Sequence, residues 1–218
     1  MAPQKGLEGA RCPRCLQPVY ARCGEKRISH WAHRSVIDCD PWSEPETQWH
    51  RDWKNLFGDM QEQLYDKNGI KHLVDVKLPD ETIIEFRRGG INETGKNTRA
   101  AVFGKQLLWV VDCAHRPRAV ERFERTEFAR YQEHIPGHNV FSTYSPDWCF
   151  PKSWANCNRF VFFDFGDSDV WCLFPRKEDL AICECMPKTA FVSEIKDGYA
   201  KFRERRLDIW RMVKARHR

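Results

Sequence analysis

A chain of 218 residues with 41% hydrophobic and 31% charged positions is long enough to bury one sizeable core beside a smaller module. Its longest apolar runs, such as Leu107 to Val111, fall far short of the roughly 20 residues of a membrane-crossing helix, so no membrane role is expected. The net charge of +5 is modest but uneven: residues 196–218 carry nine Lys/Arg against three Asp/Glu, and the rest of the chain nearly balances.

No apolar signal segment follows Met1-Ala-Pro-Gln-Lys-Gly, so the ten cysteines are read as thiols and metal ligands of a reducing, cytoplasmic compartment rather than as disulfides. Cys12-x2-Cys15 and, fourteen residues later, His30-x2-His33 supply two thiolates and two imidazoles, the ligand set of a closed tetrahedral zinc site. Pro13 suits a tight knuckle inside the Cys pair. Val19 to Arg22 and Arg27 to Trp31 are the expected arms of a hairpin around Cys23-Gly24-Glu25-Lys26. Cys23 and Cys39 compete as ligands, with a free thiol as the alternative for each. Four protein ligands leave no open position, so the zinc is expected to be structural. A His-metal nuclease using His30 or His33 as general base would need a partner Asn or His in a strand-helix unit, and the sequence offers none.

Ser43-Glu44-Pro45-Glu46 reads as a helix start, with Ser43 at the N-cap, Pro45 in the first turn and Glu46 closing a capping box. The helix is expected to run to about Asn68, stopped by Gly69, with an apolar stripe of Trp49, Trp53, Leu56, Phe57, Met60 and Leu64. Glu46, His50 and Lys54, at steps of four, form a second, polar row.

From His72 to Leu78 the chain alternates, with Val74, Val76 and Leu78 on one face and Leu73, Asp75 and Lys77 on the other. Ile84 and Phe86 alternate with Glu85 and Arg87 beyond a turn at Pro79-Asp80-Glu81. With those three residues as the loop, Leu78 faces Thr82 and Asp75 falls opposite Glu85, where directly opposed Cβ atoms lie roughly 4.5–5.5 Å apart. Two carboxylates so close repel unless one is protonated or a cation joins them, and a divalent metal is the economical answer. The competing reading is a pair of acidic residues on a solvated hairpin face.

Arg99 to Lys105 reads as a helix and Leu107 to Asp112 as a buried strand. Val120 to Tyr131 is expected to be helical, ended by Pro136-Gly137, with Phe141 to Trp154 a loop. Asn158 to Phe165 and Val170 to Phe174 read as strands joined by Gly166-Asp167-Ser168. Cys149, Cys157, Cys172, Cys183 and Cys185 lack paired spacing and are read as buried thiols. From Ser193 a last helix places Tyr199, Phe202, Ile209, Trp210 and Val213 on one stripe among arginines.

Cys12-Pro-Arg-Cys15, His30-Trp-Ala-His33, Glu46-Thr-Gln-Trp-His50 with Trp53-Lys54, Val74-Asp75-Val76, Ile84-Glu85-Phe86 and Leu108-Trp-Val-Val-Asp112 occur in that order. Together they resemble the competence protein CoiA-like family, a branch of the PD-(D/E)xK nuclease superfamily, over roughly residues 10–112. The resemblance implies a mixed sheet flanked by helices in which Glu46, Asp75 and Glu85 serve a catalytic Mg²⁺ or Mn²⁺. Arg87 stands where that pattern has Lys or Gln, and Arg88-Gly89-Gly90 replaces a frequent His-Ser. The implied activity is phosphodiester hydrolysis, in DNA, during bacterial or phage DNA processing or defence. His50 would orient water, while Arg87 and Lys54 would hold phosphate.

The expected architecture is thus α/β: a zinc-binding module (1–40), a PD-(D/E)xK nuclease-like core (41–145), and a C-terminal β-hairpin plus basic helix (146–218). Arg99, Arg203, Arg206, Arg211 and Lys214 are the expected nucleic-acid contacts. A homodimer or a protein partner in DNA processing is a further expectation. The alternative is an impaired nuclease core, favoured by Arg87, that binds nucleic acid through the zinc module and basic helix.

Overall fold

The computed structural model describes residues 3–6, 9–24, 29–33, 39, 46–67, 70–88, 90–126, 128–176 and 179–217. They fall into two compact units, Met1–Lys77 and Leu78–Arg218. Ser43, Pro45, Gly69 and Gly89, which carried expectations above, lie outside the described residues.

In the first unit β1 (Val19–Arg22) and β2 (His30–His33) form an antiparallel hairpin; its second arm runs on to His33, past the expected end at Trp31, and Arg27 lies outside the described residues. Helix α1 (Gln48–Asn55) is much shorter than the run to residue 68 read from the sequence. The chain closes the helix through Phe57 N–H donating to the Lys54 carbonyl at 2.9 Å, then enters the left-handed region at Gly58, φ 58°. Residues expected to continue the helix form strand β3 (Gln61–Lys67), antiparallel to β4 (Ile70–Lys77). The apparent stripe was composite. Trp53 and Phe57 are buried, whereas Leu56 and Leu64 are 45% and 37% exposed. Val74 and Val76 are buried and Leu73 is exposed, as the alternation in β4 requires.

In the second unit the strands run in the order β5-β6-β9-β10-β11-β8-β7. They are β5 (Ile83–Arg87), β6 (Leu107–Asp112), β7 (Gln132–Ile135), β8 (His138–Thr143), β9 (Val161–Asp164), β10 (Asp169–Leu173) and β11 (Ala181–Pro187). β5, β6 and β9 are parallel; the others pair antiparallel. Helix α2 (Glu93–Phe103) makes the crossover from β5 to β6 and begins earlier than expected, capped by Asn92. Residues 120–131 are only partly helical: α3 (Pro117–Glu124) ends early, and Pro136-Gly137 turns a β7–β8 hairpin instead of ending a helix. Gly137 holds φ 75° in that turn. The stretch 141–154, read as loop, includes the end of β8 and a short helix α4 (Lys152–Ala155). β11, unforeseen, joins β10 to β8, so the sheet continues across residue 145.

Helices cover both faces. α5 (Lys188–Lys196) and α6 (Tyr199–Arg216) bury Phe191, Phe202, Ile209 and Val213, with Phe191 4.2 Å and Phe202 5.8 Å from the ring of Phe162. On the other face Phe123 of α3 stacks on Phe165 at 3.8 Å. Phe162 therefore faces one helical layer while Phe163, next along β9, stacks against Phe150 at 4.5 Å on the other side.

Candidate functional site

The N-terminal cluster is built on a knuckle. Cys12 N–H donates to the Gln17 carbonyl and Leu16 N–H to the Cys12 carbonyl, both at 2.9 Å. Leu16 takes φ 59°, and a bridge from Arg11 to Pro18 leads the chain into β1. Cys12, Cys15, His33 and Cys39 bring their ligand atoms within 4.8 Å of one another. The Cys12 and Cys39 sulfurs are 3.6 Å apart, and the Cys15 sulfur is 3.2 Å from His33 Nε2. A tetrahedral zinc with Zn–S near 2.3 Å holds its sulfurs about 3.8 Å apart, so the four donors fit a zinc ion.

His30 is not among them, and Cys39 takes its place. His30 and His33 are three residues apart on one strand, which sends their side chains to opposite faces. Their pairing also separates them along the hairpin: His33 pairs with Val19, beside the knuckle, and His30 with Arg22 at the far end. Cys23, the other competitor, is exposed. The thiols are unequal. A backbone N–H from Gln17 is the main force lowering Cys15, to about 7, whereas burial and neighbouring thiols raise Cys39 to about 12.

Helix α1 carries a second polar group. Its N-cap is Thr47, whose hydroxyl accepts from His50 N–H at 3.4 Å, while His50 Nδ1 accepts from Thr47 N–H at 3.2 Å. His50 thus closes the capping box expected of Glu46. Glu46 precedes the helix and is released for ion pairs, with Arg51 at 3.0 Å and with Lys54. Lys54 also pairs with Glu62 at 2.8 Å, a partner the sequence hid because residue 62 was assigned to the helix. Burial lowers the Lys54 pKa, but its hydrogen bonds to Glu46 and Glu62 and the fields of Glu62 and Asp75 outweigh it and leave it raised. Burial likewise raises Glu46 and is outweighed by Lys54 and Arg51, leaving it lowered.

In the second unit the turn after residue 78 closes as read: Leu78 N–H donates to the Thr82 carbonyl at 2.8 Å and Glu81 N–H to the Leu78 carbonyl at 3.0 Å. Every residue of β5 is buried, including Glu85 at 7% and Arg87 at 8% exposure. A solvated acidic face does not describe Glu85. Arg99 of α2 is buried too, its Nε 4.0 Å from Glu85 Oε2 and its guanidinium 5.6 Å from the centre of the Trp109 ring. One turn earlier Lys96 donates to the Ser153 carbonyl at 2.6 Å and lies over Trp154. Lys96 escaped the sequence reading; its spacing of three from Arg99 on one helix was the available signal.

The expected nucleic-acid contacts divide. Arg203, Arg211 and half-buried Lys214 reach the surface of α6, Arg211 pairing with Asp208 and Lys214 lying 4.8 Å from the Trp210 ring centre. Arg206 is a core residue instead, 1% exposed, donating to Glu184 Oε2 at 2.9 Å, paired with Glu194 and stacked 3.9 Å over Phe202. Four residues after Phe202, it falls on the helix's buried stripe. Cys149, Cys157, Cys172 and Cys183 are buried, and burial holds Cys172 and Cys183 well above the ordinary thiol range. Among the described residues the N-terminal cluster alone gathers three or more metal-ligating side chains, and no helix is long and apolar enough to cross a membrane.

No curated protein and no solved structure matches the chain. Residues 8–41 match the family model of the competence protein CoiA N-terminal domain, a span that holds all four residues of the candidate zinc site.

Proposed function

We propose that the chain is a metal-dependent nuclease acting on DNA, with a structural zinc in its N-terminal module. One observation carries the reading: β5 buries Glu85 and Arg87 together, with Arg99 set beside Glu85. Buried charges are expensive to keep, and a strand with no apolar substitute at two such positions points to chemistry. The competence-protein match over residues 8–41 supports a setting in DNA processing.

Asp75 and Glu85 would hold Mg²⁺ or Mn²⁺, ions that need only one or two carboxylates when water and substrate phosphates complete the shell. When bound, the ion would polarise the phosphoryl group and favour hydroxide at neutral pH. Arg87 carries a permanent positive charge and offers a phosphate two parallel N–H donors. Arg99 balances Glu85. In the first unit Lys54 is held by Glu46 and Glu62, and the family resemblance implies it as a further phosphate-holding cation. Glu46 is engaged with Lys54 and Arg51, which suits a positioning role better than direct ligation. His50 would orient water through Nε2, because its Nδ1 is the acceptor in the capping box.

Arg87 favours the second reading, an impaired core that binds nucleic acid without cutting it, because Arg is longer and stiffer than Lys or Gln. Incubation of the purified chain with circular and linear DNA, with and without each ion, separates the two. Asp75→Ala and Glu85→Ala should abolish metal-dependent cleavage while leaving DNA affinity equal or higher. Arg87→Lys or Arg87→Gln should raise cleavage at least about tenfold, or about 1.4 kcal/mol of barrier. If neither the unmodified chain nor these variants cut any DNA with either ion, the nuclease reading fails.

A further inference from the structure

The carboxyl ends of the parallel strands β5, β6 and β9 meet along one edge of the second unit. Asp112, the last residue of β6, pairs with Asp164, the last of β9, and Arg87 pairs with Val111, which brings Arg88 level with Asp112. In open α/β sheets ligands bind outside the carboxyl ends of the strands. Asp164 is neutralised locally, by Lys188 at 2.9 Å and by Gly166 N–H at 2.8 Å.

Asp112 is different. It is 3% exposed, yet the basic groups around it lie nearer to solvent. Arg88 Nε is 3.6 Å from its Oδ2 with a side chain 48% exposed, and His115 Nδ1 is 3.2 Å from the same oxygen with a side chain 25% exposed. His115 N–H donates to Oδ1 at 3.4 Å. Arg116 then donates from Nε to His115 Nε2 at 3.4 Å and from Nη2 to the Arg88 carbonyl at 3.2 Å. These two contacts engage two of the five N–H donors of Arg116.

The buried carboxylate thus anchors a rim in which the guanidinium groups of Arg88 and Arg116 are the cations and the His115 ring links Asp112 to Arg116. Helix α3 starts at Pro117, directly after this rim, with no side-chain cap and no acidic residue in its first turn, so its amide dipoles add to the positive field. A buried acid under basic groups, beside an uncapped helix start at the carboxyl edge of parallel strands, matches an oxyanion bearing several acceptors.

We propose that this edge is a phosphate-binding site: Arg88 and Arg116 contact the phosphate oxygens, and Asp112 and His115 are the positioning residues that fix them. As applied to nucleic acid, the proposal rests on the nuclease reading. The phosphate is either a diester of the backbone or a terminal monoester.

Binding without metal tests it, using single-stranded oligonucleotides with 5′-hydroxyl and 5′-phosphate ends over a range of salt, and inorganic phosphate in thermal unfolding. Arg88→Ala and Arg116→Ala should each lower the slope of log affinity against log salt by about one, and together should weaken binding at least tenfold. Asp112→Asn should lower the slope although both arginines remain, which a general loss of stability would not do. A 5′-phosphate preference lost in Arg116→Ala identifies a terminal phosphate; equal binding of both oligonucleotides identifies a backbone diester. Inorganic phosphate that raises the unfolding midpoint of the unmodified chain but not of the double variant supports the site even if no oligonucleotide binds, in which case the nuclease reading alone falls. A folded double variant that keeps the full salt slope and the full response to phosphate overturns the proposal.

Discussion

Replacing Cys39 by Ser removes one of four donors from the zinc cluster, and replacing His30 by Ala removes none. Structural zinc sites in small domains bind with about 10–16 kcal/mol at pH 7. One donor of four carries about a quarter of that, roughly 3 kcal/mol, or a loss of affinity of about two orders of magnitude. Competition with a chromophoric chelator reads this directly: Cys39→Ser should surrender zinc at about a hundredth of the chelator concentration that the unmodified chain requires, and His30→Ala at an unchanged one. The thiols also set the pH dependence. Cys39, raised to about 12, must release a proton on binding at all working pH values, whereas Cys15, lowered to about 7, releases one only below that point. Affinity should therefore rise with pH, and the rise should lessen by one proton above about pH 7. The assignment is refuted if His30→Ala gives up zinc as readily as Cys39→Ser, or if the freshly purified chain contains no zinc.

Other expectations follow from burial and charge. Arg206→Ala leaves buried Glu184 with His138 at 2.6 Å but without its guanidinium partner, and should destabilise the second unit by about 3 kcal/mol in urea unfolding, while Arg211→Ala, which breaks an exposed pair, should shift it by less than about 1 kcal/mol. The Glu46–Lys54 pair predicts stability across the neutral range: the lowered Glu46 contributes above its unfolded pKa of 4.5 and is lost as pH falls through its folded value, and the raised Lys54 contributes below 10.5 and is lost as pH rises through its own. Lys54→Met should flatten the acid limb of that profile.

The sequence was most legible where a signal was local. The β1–β2 hairpin, the turn closed by Leu78 and Thr82, the apolar β6 and the β9–β10 hairpin are all set by short stretches of neighbouring residues. Cys12, Cys15 and His33 were found by ligand type, but strand geometry decided against His30 and chose Cys39. β3 was hidden because Gln61 to Lys67 favours neither a helix nor a strand strongly, and only pairing with β4 settles it. β11 was overlooked because all of Ala181 to Glu184 is buried, so the run lacks the apolar–polar alternation of a half-exposed strand. Arg206 shows the limit of counting charges: its number in the sequence raised the tail's basicity, while its position on the stripe put it in the core.

The parallel pairing of β6 with β9 bears on how the molecule is made. β6 ends at residue 112 and β9 begins at residue 161, and between them the chain must build β7 and β8 at the opposite edge of the sheet. While the chain emerges from the ribosome, the backbone groups of Trp109 and Val111 in β6 therefore have no neighbour on that side until about the last quarter of the protein is synthesised. Such distant pairings form slowly and leave an apolar strand edge open to other chains. Truncations between the end of β6 and the start of β9 are thus expected to yield insoluble protein even though they retain Cys12, Cys15, His33 and Cys39, and refolding should be limited by the closure of this one strand pair.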